Sequence, residues 1–351
     1  MTMVIRSTPE SLHDIFLAYA ADCHGYSPIY EYITTGIAND PELQALSTGG
    51  IEGQPQPNLI CAASHSLLLS GVQHEVARYY PSVAAKPAPI DDGLYPAFRD
   101  FCLSNADAIR PLVASRLVQT NEVGRSACLL PGYAEVARRE NGRPLALIDF
   151  GCSAGLNLLF DRFGYDYGPG RLRWGDASSP VQLRCELRGD ATPPLQGGAP
   201  VAGWRVGVDL NPIDVTDADS LLWLRALVWP EHREREATLV AAAGLMREQP
   251  QRLIKGDGVE LLPSLLAEAP QDHALVVYYS FVLHQLSPGA RRRFYAALGE
   301  ASHTRPVYVV SMAGLMQATS IELTTWRNGE HQRETLAECM AHGQWMRYLP
   351  S

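Results

Sequence analysis

The sequence predicts an α/β protein in which a doubly wound, mostly parallel sheet is closed by a C-terminal antiparallel hairpin and preceded by a mostly helical domain. Three observations lead there. From Pro144 onward, short apolar and β-branched runs alternate with segments of helical spacing, the texture of repeated strand–helix units. The stretch Leu145–Leu159 is an apolar run that ends in an acid, breaks at Gly151-Cys152-Ser153-Ala154-Gly155, and resumes at helical spacing. Before residue 140 the strand texture is absent. Residues 1–140 are therefore assigned to a helical domain and 141–351 to a sheet domain, with an insertion at about 164–203.

In the helical domain, Leu12, Ile15, Phe16 and Tyr19 recur at helical spacing after a Thr8-Pro9 start signal. A second helix is expected from Asn58 through Tyr80. Further helices are expected from about Pro96 to Arg138, interrupted near Thr120–Gly124 and at Pro131-Gly132. In the sheet domain, strands are expected at Leu145–Phe150, Arg205–Leu210, Arg252–Lys255, His273–Ser280 and Arg305–Ser311. Helices fit at Leu156–Phe163, Asp219–Trp229, Glu231–Glu248, Gly258–Glu268 and Ser287–Ser302, the last with Pro288 in its first turn. Asn328-Gly329 between Ile321–Trp326 and Gln332–Glu338 is suited to a hairpin turn.

Composition narrows the function classes. With 46% hydrophobic and 19% charged residues in 351, the chain has the make-up of a globular enzyme rather than a disordered segment. A net charge of −9 without a dense Lys/Arg run argues against a nucleic-acid partner. Seven scattered cysteines with no CxxC pair fit reduced thiols rather than disulfides or a zinc site, so no metal is expected. Met1–Glu10 lacks an apolar signal core and no later run spans a bilayer, so a soluble cytoplasmic protein is expected. The oligomeric state is not readable.

Two chemistries use a loop spelled Gly-Cys-Ser-Ala-Gly between a strand and a helix. One is binding of S-adenosyl-L-methionine on a Rossmann-like sheet. That cofactor needs a tight turn against its methionine part, an acid for the ribose hydroxyls and a polar contact for the adenine. Asp149, Gly151, Ser153, Gly155 and Asn157 would supply the turn, Asp209 with Leu210 the ribose site, and Asp257 with Gly258 the adenine contact. Ser280 ends the next strand, at the same edge of the sheet. Asp149 and Asp209 are 60 residues apart, which the insertion must explain, and Ser153 stands where a middle glycine is usual. The other chemistry is a hydrolase elbow, G-x-S-x-G, with Ser153 as nucleophile and Asp272/His284 or Glu338/His342 satisfying the chain order. No oxyanion-type glycine segment precedes that loop, and the three strand-end acids would have no task. The cofactor reading uses them all.

Several motifs carry a resemblance. Gln119-Thr120-Asn121-Glu122-Val123-Gly124-Arg125, Leu129-Leu130-Pro131, Ser153-Ala154-Gly155-Leu156-Asn157-Leu158, Asp161-Arg162 and Trp174-Gly175-Asp176 come first. Asp209-Leu210-Asn211-Pro212, Trp229-Pro230, Gly256-Asp257 and His342-Gly343 complete the series. Together, from about Ser27 to the C-terminus, they resemble the bacterial domain-of-unknown-function 2332 family, a resemblance that bears on fold and implies no settled activity. Separately, Phe281–Leu286 with Arg291–Leu298 is similar to the segment after the fourth strand of class I methyltransferases, which implies substrate-facing groups there.

The resulting expectation is a methyltransferase acting on a small molecule. His284 is the candidate base, and Phe281, Thr120, Asn121, Glu122 and Arg125 are the candidate substrate contacts. The bland alternatives are a capping or packing histidine and a network that ties the helical lobe to the sheet. Asp161-Arg162 and Trp174–Asp176 read more simply as an ion pair and a packed indole, and Cys152 as a small loop residue. A protein that binds the cofactor or a nucleotide without catalysis remains the other alternative.

Overall fold

The structure, a computed structural model, describes residues 11–195, 200–315 and 318–349. The Thr8-Pro9 signal lies outside the described residues. Helix α1 (Leu12–Cys23) starts behind Ser11, whose Oγ accepts from the Asp14 N–H. It is followed by α2 (Pro28–Ile37), α3 (Pro41–Leu46), α4 (Gln56–Leu69), α5 (Leu94–Ser104), α6 (Ala106–Ser115) and α7 (Arg125–Arg139). Strand β1 (Leu145–Phe150) leads to four short strands, β2 (Gly164–Asp166), β3 (Arg173–Gly175), β4 (Gln182–Arg184) and β5 (Glu186–Arg188). Then come β6 (Ala202–Asp209), α8 (Ala218–Ala226), α9 (Arg233–Glu248), β7 (Arg252–Lys255), α10 (Gly258–Glu268) and β8 (Ala274–Ser280). The chain continues through α11 (Pro288–Ala301), β9 (Val307–Leu315), β10 (Ala318–Arg327), β11 (Glu330–Cys339) and β12 (Trp345–Tyr348). Among the described residues no helix is long and apolar enough to cross a membrane.

The described residues form two compact units, one within 11–120 and 216–237, the other within 121–215 and 238–349. The borders differ from the expected split at 140 for identifiable reasons. Trp229, expected in the sheet domain, packs edge-on against Tyr19, Tyr26 and Tyr30 of the helical unit. Glu231 accepts from Ser27 Oγ and the Ile29 N–H and so satisfies the first turn of α2. In the same unit His65 is pinned by the Ala226 carbonyl and Ser82 Oγ, and burial holds its imidazole down at about 4. The helix expected from Asn58 through Tyr80 ends at Leu69, because Gly71 turns left-handed (φ 98°) before a short 3-10 turn at Glu75–Tyr79.

Helix α7 falls in the sheet unit, where it lies on β9, β10 and β11. Pro131-Gly132 does not interrupt it. Gly132 is instead the close-approach point, since a Cβ there would come within 2.6 Å of Val310 Cγ1. Buried Glu135 bonds Arg138 and Arg139, and Arg139 reaches Glu334 on β11.

The main sheet has nine strands in the order β5-β12-β11-β10-β9-β8-β1-β6-β7. Pairs from β7 through β9 are parallel, those from β9 through β12 antiparallel, and β12 with β5 parallel again. Asn328 (φ 52°) and Gly329 (φ 82°) form the tight turn between β10 and β11. One face, with Ile148, Phe150, Val277 and Val309, is buried beneath α10 and α11. The insertion folds into a small sheet, β3-β2-β4, and supplies β5 to the edge of the large one.

Candidate functional site

Strands β7, β6, β1, β8 and β9 run parallel, so their C-terminal ends share one edge. The chain builds outward from β1 through β6 to β7, then returns to the other side of β1 with β8. The order reverses between β1 and β8, the kind of position at whose strand ends open α/β sheets hold ligands.

The loop after β1 is tight. Gly151 (φ 81°), Ser153 (φ 53°) and Gly155 (φ 67°) are all left-handed, and the Gly151 and Cys152 N–H groups donate to the Val208 carbonyl. A left-handed serine is strained backbone, as is Phe281 (φ 56°) just past the end of β8. Asp209, at the end of β6, accepts the Ser153 N–H on Oδ2 and the Asn211 N–H on Oδ1, each at 2.8 Å. The acid and the loop are thus one unit. Beside it Leu210 is 71% exposed, an unusual place for a leucine.

Two features differ from the expected loop. The segment after it is a short 3-10 turn, Leu156–Arg162, with Leu159 out of helical geometry, and not the helix expected over Leu156–Phe163. A turn this short supplies no helix dipole for an anion at this point. The glycines, in turn, are closed over by protein: a Cβ on Gly151 would lie 2.5 Å from Val282 Cγ2, and one on Gly155 2.6 Å from Leu253 Cδ2. Cys152 packs against Gly207, and burial drives its thiol pKa far up, which removes it as a nucleophile.

Beneath the loop Asp149 is buried, and Tyr278 Oη donates to its Oδ2 at 2.8 Å. Burial raises its pKa to about 7, and the nearby Asp209 charge adds to that against the Tyr278 bond. Such a carboxyl is half protonated at neutral pH. Tyr133 packs edge-on against Tyr278, and its hydroxyl, like Ser153 Oγ, is buried without a hydrogen-bond partner among the described residues.

The segment at 121–126 meets this loop. Asn121 Oδ1 accepts the Leu156 N–H at 3.0 Å, Asn157 Nδ2 donates to the Glu122 carbonyl, and Ser126 Oγ donates to Asn157 Oδ1. Glu122 Oε1 accepts the Gly124 N–H. Arg125 donates from Nη1 to Ser280 Oγ and from Nε to the Ala341 carbonyl, and its guanidinium lies over the Phe281 ring at 4.8 Å. Gly124 and Gly343 allow the two backbones to touch there. Four sequence motifs thus converge: 121–126, 151–157, 280–281 and 341–343. Thr120 belongs to the helical unit.

Other candidates have structural tasks. Asp257 Oδ1 caps α10 through the Val259 N–H, and Gly258 admits the Phe150 ring. Asp161 pairs with Arg205 at 2.6 Å rather than with Arg162, Trp174 packs on Tyr165, and Asp176 closes its own turn with Ser178. No base reaches Ser153 among the described residues: Asp272 is bonded to His273 and Glu338 to Arg347. His284 sits in the 3-10 turn Leu283–Gln285 and lines a cavity of about 230 Å3 with Phe281. Partial burial, with Arg291 nearby, lowers its pKa and keeps the imidazole neutral at pH 7. Among the described residues no His/Cys/Asp/Glu group is arranged to hold a metal ion.

Sequence reasoning missed Tyr278, Tyr133 and Ser126, which hold the acid and the loop. The alternation of β8 places Tyr278 beside Asp149, but only the register reveals it. No curated protein matches the chain. A family model described as "Uncharacterized protein conserved in bacteria (DUF2332)" matches residues 13–348. The chain therefore belongs to this bacterial family.

Proposed function

We propose that the sheet unit is a Rossmann-like adenosyl-binding fold and that the protein transfers a methyl group from S-adenosyl-L-methionine to a small molecule. The observation that carries the reading is the bond from the Ser153 N–H to Asp209. It fixes a strand-end carboxylate against the β1 loop, beside the reversal of strand order. The order β7-β6-β1-β8-β9, with the first strand central, supports the same reading. The net charge of −9 favours a small-molecule acceptor over nucleic acid.

The two halves of the cofactor fit unequally. Asp209 suits ribose hydroxyls, and exposed Leu210 offers an apolar surface to the adenine. The methionine half meets a loop whose glycines are covered and whose Leu156 N–H is taken by Asn121. When bound, the cofactor supplies an electrophilic methyl carbon. The protein's part is to hold the acceptor in line with it and to take the acceptor's proton on the neutral His284 imidazole. The occupied Leu156 N–H favours one second reading, adenosyl binding without transfer.

Calorimetry tests the proposal. Wild-type protein should take up S-adenosylmethionine and S-adenosylhomocysteine, and Asp209→Ala should abolish the heat. Leu210→Glu, at an exposed side chain where stability should change by no more than about 0.5 kcal/mol, should weaken binding about tenfold or more. No heat from wild type at high micromolar ligand refutes the proposal; binding without turnover supports the second reading.

A further inference from the structure

The face of the main sheet under α11 is apolar along most of its length, but at the C-terminal end of β8 and β9 it changes character. Tyr279 on β8 lies directly opposite Ser311 on β9, and Ser311 directly opposite Glu322 on β10. Residues opposite each other share a face, so these three form a lateral row. Arg333 on β11 is opposite Thr324 and joins the same face. The row is the floor of the 230 Å3 cavity, whose walls are Phe281, His284 and Tyr295.

The row sets an acid and a base side by side at the cavity. Ser311 is buried and bonds the Tyr279 side chain. Glu322 Oε2 stands 3.7 Å from Arg333 Nη1, an ion pair outside hydrogen-bond range, with the side chains 26% and 50% exposed. Both side chains keep contact with solvent, so a ligand can replace water at this loosely spaced pair. A ligand that accepts from the guanidinium and donates to the carboxylate would bridge the pair. Two tyrosines and a phenylalanine favour a flat ring between them. The volume is below the ~300–1,000 Å3 typical of drug-sized ligands, which limits the occupant to a single ring with short substituents.

We propose that this cavity binds a small aromatic acid bearing a hydroxyl or ring N–H, with its anionic group on Arg333 and its donor toward Glu322 and His284. That this ligand is the methyl acceptor rests on the function proposed above; that it binds does not.

The probe is 4-hydroxybenzoate, titrated calorimetrically into the full chain at neutral pH, with benzoate for comparison. Wild type should bind it, benzoate should bind more weakly, and Arg333→Met and Glu322→Gln should each weaken 4-hydroxybenzoate about tenfold or more. Both side chains are partly exposed, and a wild-type thermal transition shows that each variant is folded. Absence of binding to wild type at about 1 mM, or equal affinity in Arg333→Met, overturns the proposal. A parallel titration with S-adenosylmethionine separates the two claims. Its failure refutes the transfer reading and leaves the aromatic-acid result standing.

Discussion

Asp149→Asn is expected to remove a pH dependence that the wild-type protein carries between about pH 4 and 7. The folded carboxyl titrates near 7, an unfolded one near 3.8. Below both values the group is protonated in either state and contributes nothing. Through the window between them the unfolded chain ionises while the folded one keeps its proton. Stability therefore falls as pH rises and levels off above 7, by about 4 kcal/mol in all. Asparagine keeps an acceptor for Tyr278 and has no proton to lose. The difference in unfolding free energy between variant and wild type should shift in favour of the variant as pH rises, because the other carboxyls are common to both. Urea titrations at pH 5 and 8 measure it. Equal differences at the two pH values would show that Asp149 is ionised in the fold at both.

Arg205→Met should destabilise the sheet unit by about 3–5 kcal/mol, the usual cost of leaving a buried charge without its partner. Arg205 and Asp161 are 9% and 6% exposed and meet at 2.6 Å. Asp161 also accepts the Ala202 N–H and so fixes the start of β6 to the turn that follows the β1 loop. Burial lowers the Arg205 pKa even with Asp161 beside it, so desolvation outweighs the attraction at that side chain. The double variant Asp161→Leu/Arg205→Met should recover most of the loss, since no lone charge remains. A single-variant loss below about 1 kcal/mol would mean the pair is solvated.

The strand ends were readable because parallel strands covered on both faces appear as unbroken apolar runs, and a polar residue marks where each leaves cover. Asp209 and Ser280 were found this way, whereas Asp149 stays buried beside the end of β1. Helices with explicit signals were also readable: Asp257 before α10, and Ser287-Pro288 at the start of α11. The turn at Leu156–Arg162 was not. Its apolar residues have helical spacing, but its first N–H is claimed by Asn121, a residue before α7 and β1 in the chain. Spacing along the chain cannot report a partner that arrives from elsewhere.

The cavity floor was illegible for a related reason. Tyr279, Ser311 and Glu322 are neighbours only through register, and Arg333 joins them past a bulge on β11 whose extra residue is Leu336. A shift of one residue would turn Glu322 to the face that α7 covers, and the row would lose its acid. The same limit applies to the glycines of the β1 loop. The sequence marks them as places of close approach, and the structure identifies what approaches: Val282 and Leu253.

The central claim is that the β1 loop and the β6 acid together hold an adenosyl group, and a structure of the protein grown with S-adenosylhomocysteine tests it most directly. Density is expected at the ends of β1 and β6, with the ribose hydroxyls on Asp209 and the adenine against Leu210. A saturated crystal with no ligand there, or with the ligand bound away from Asp209, would contradict it.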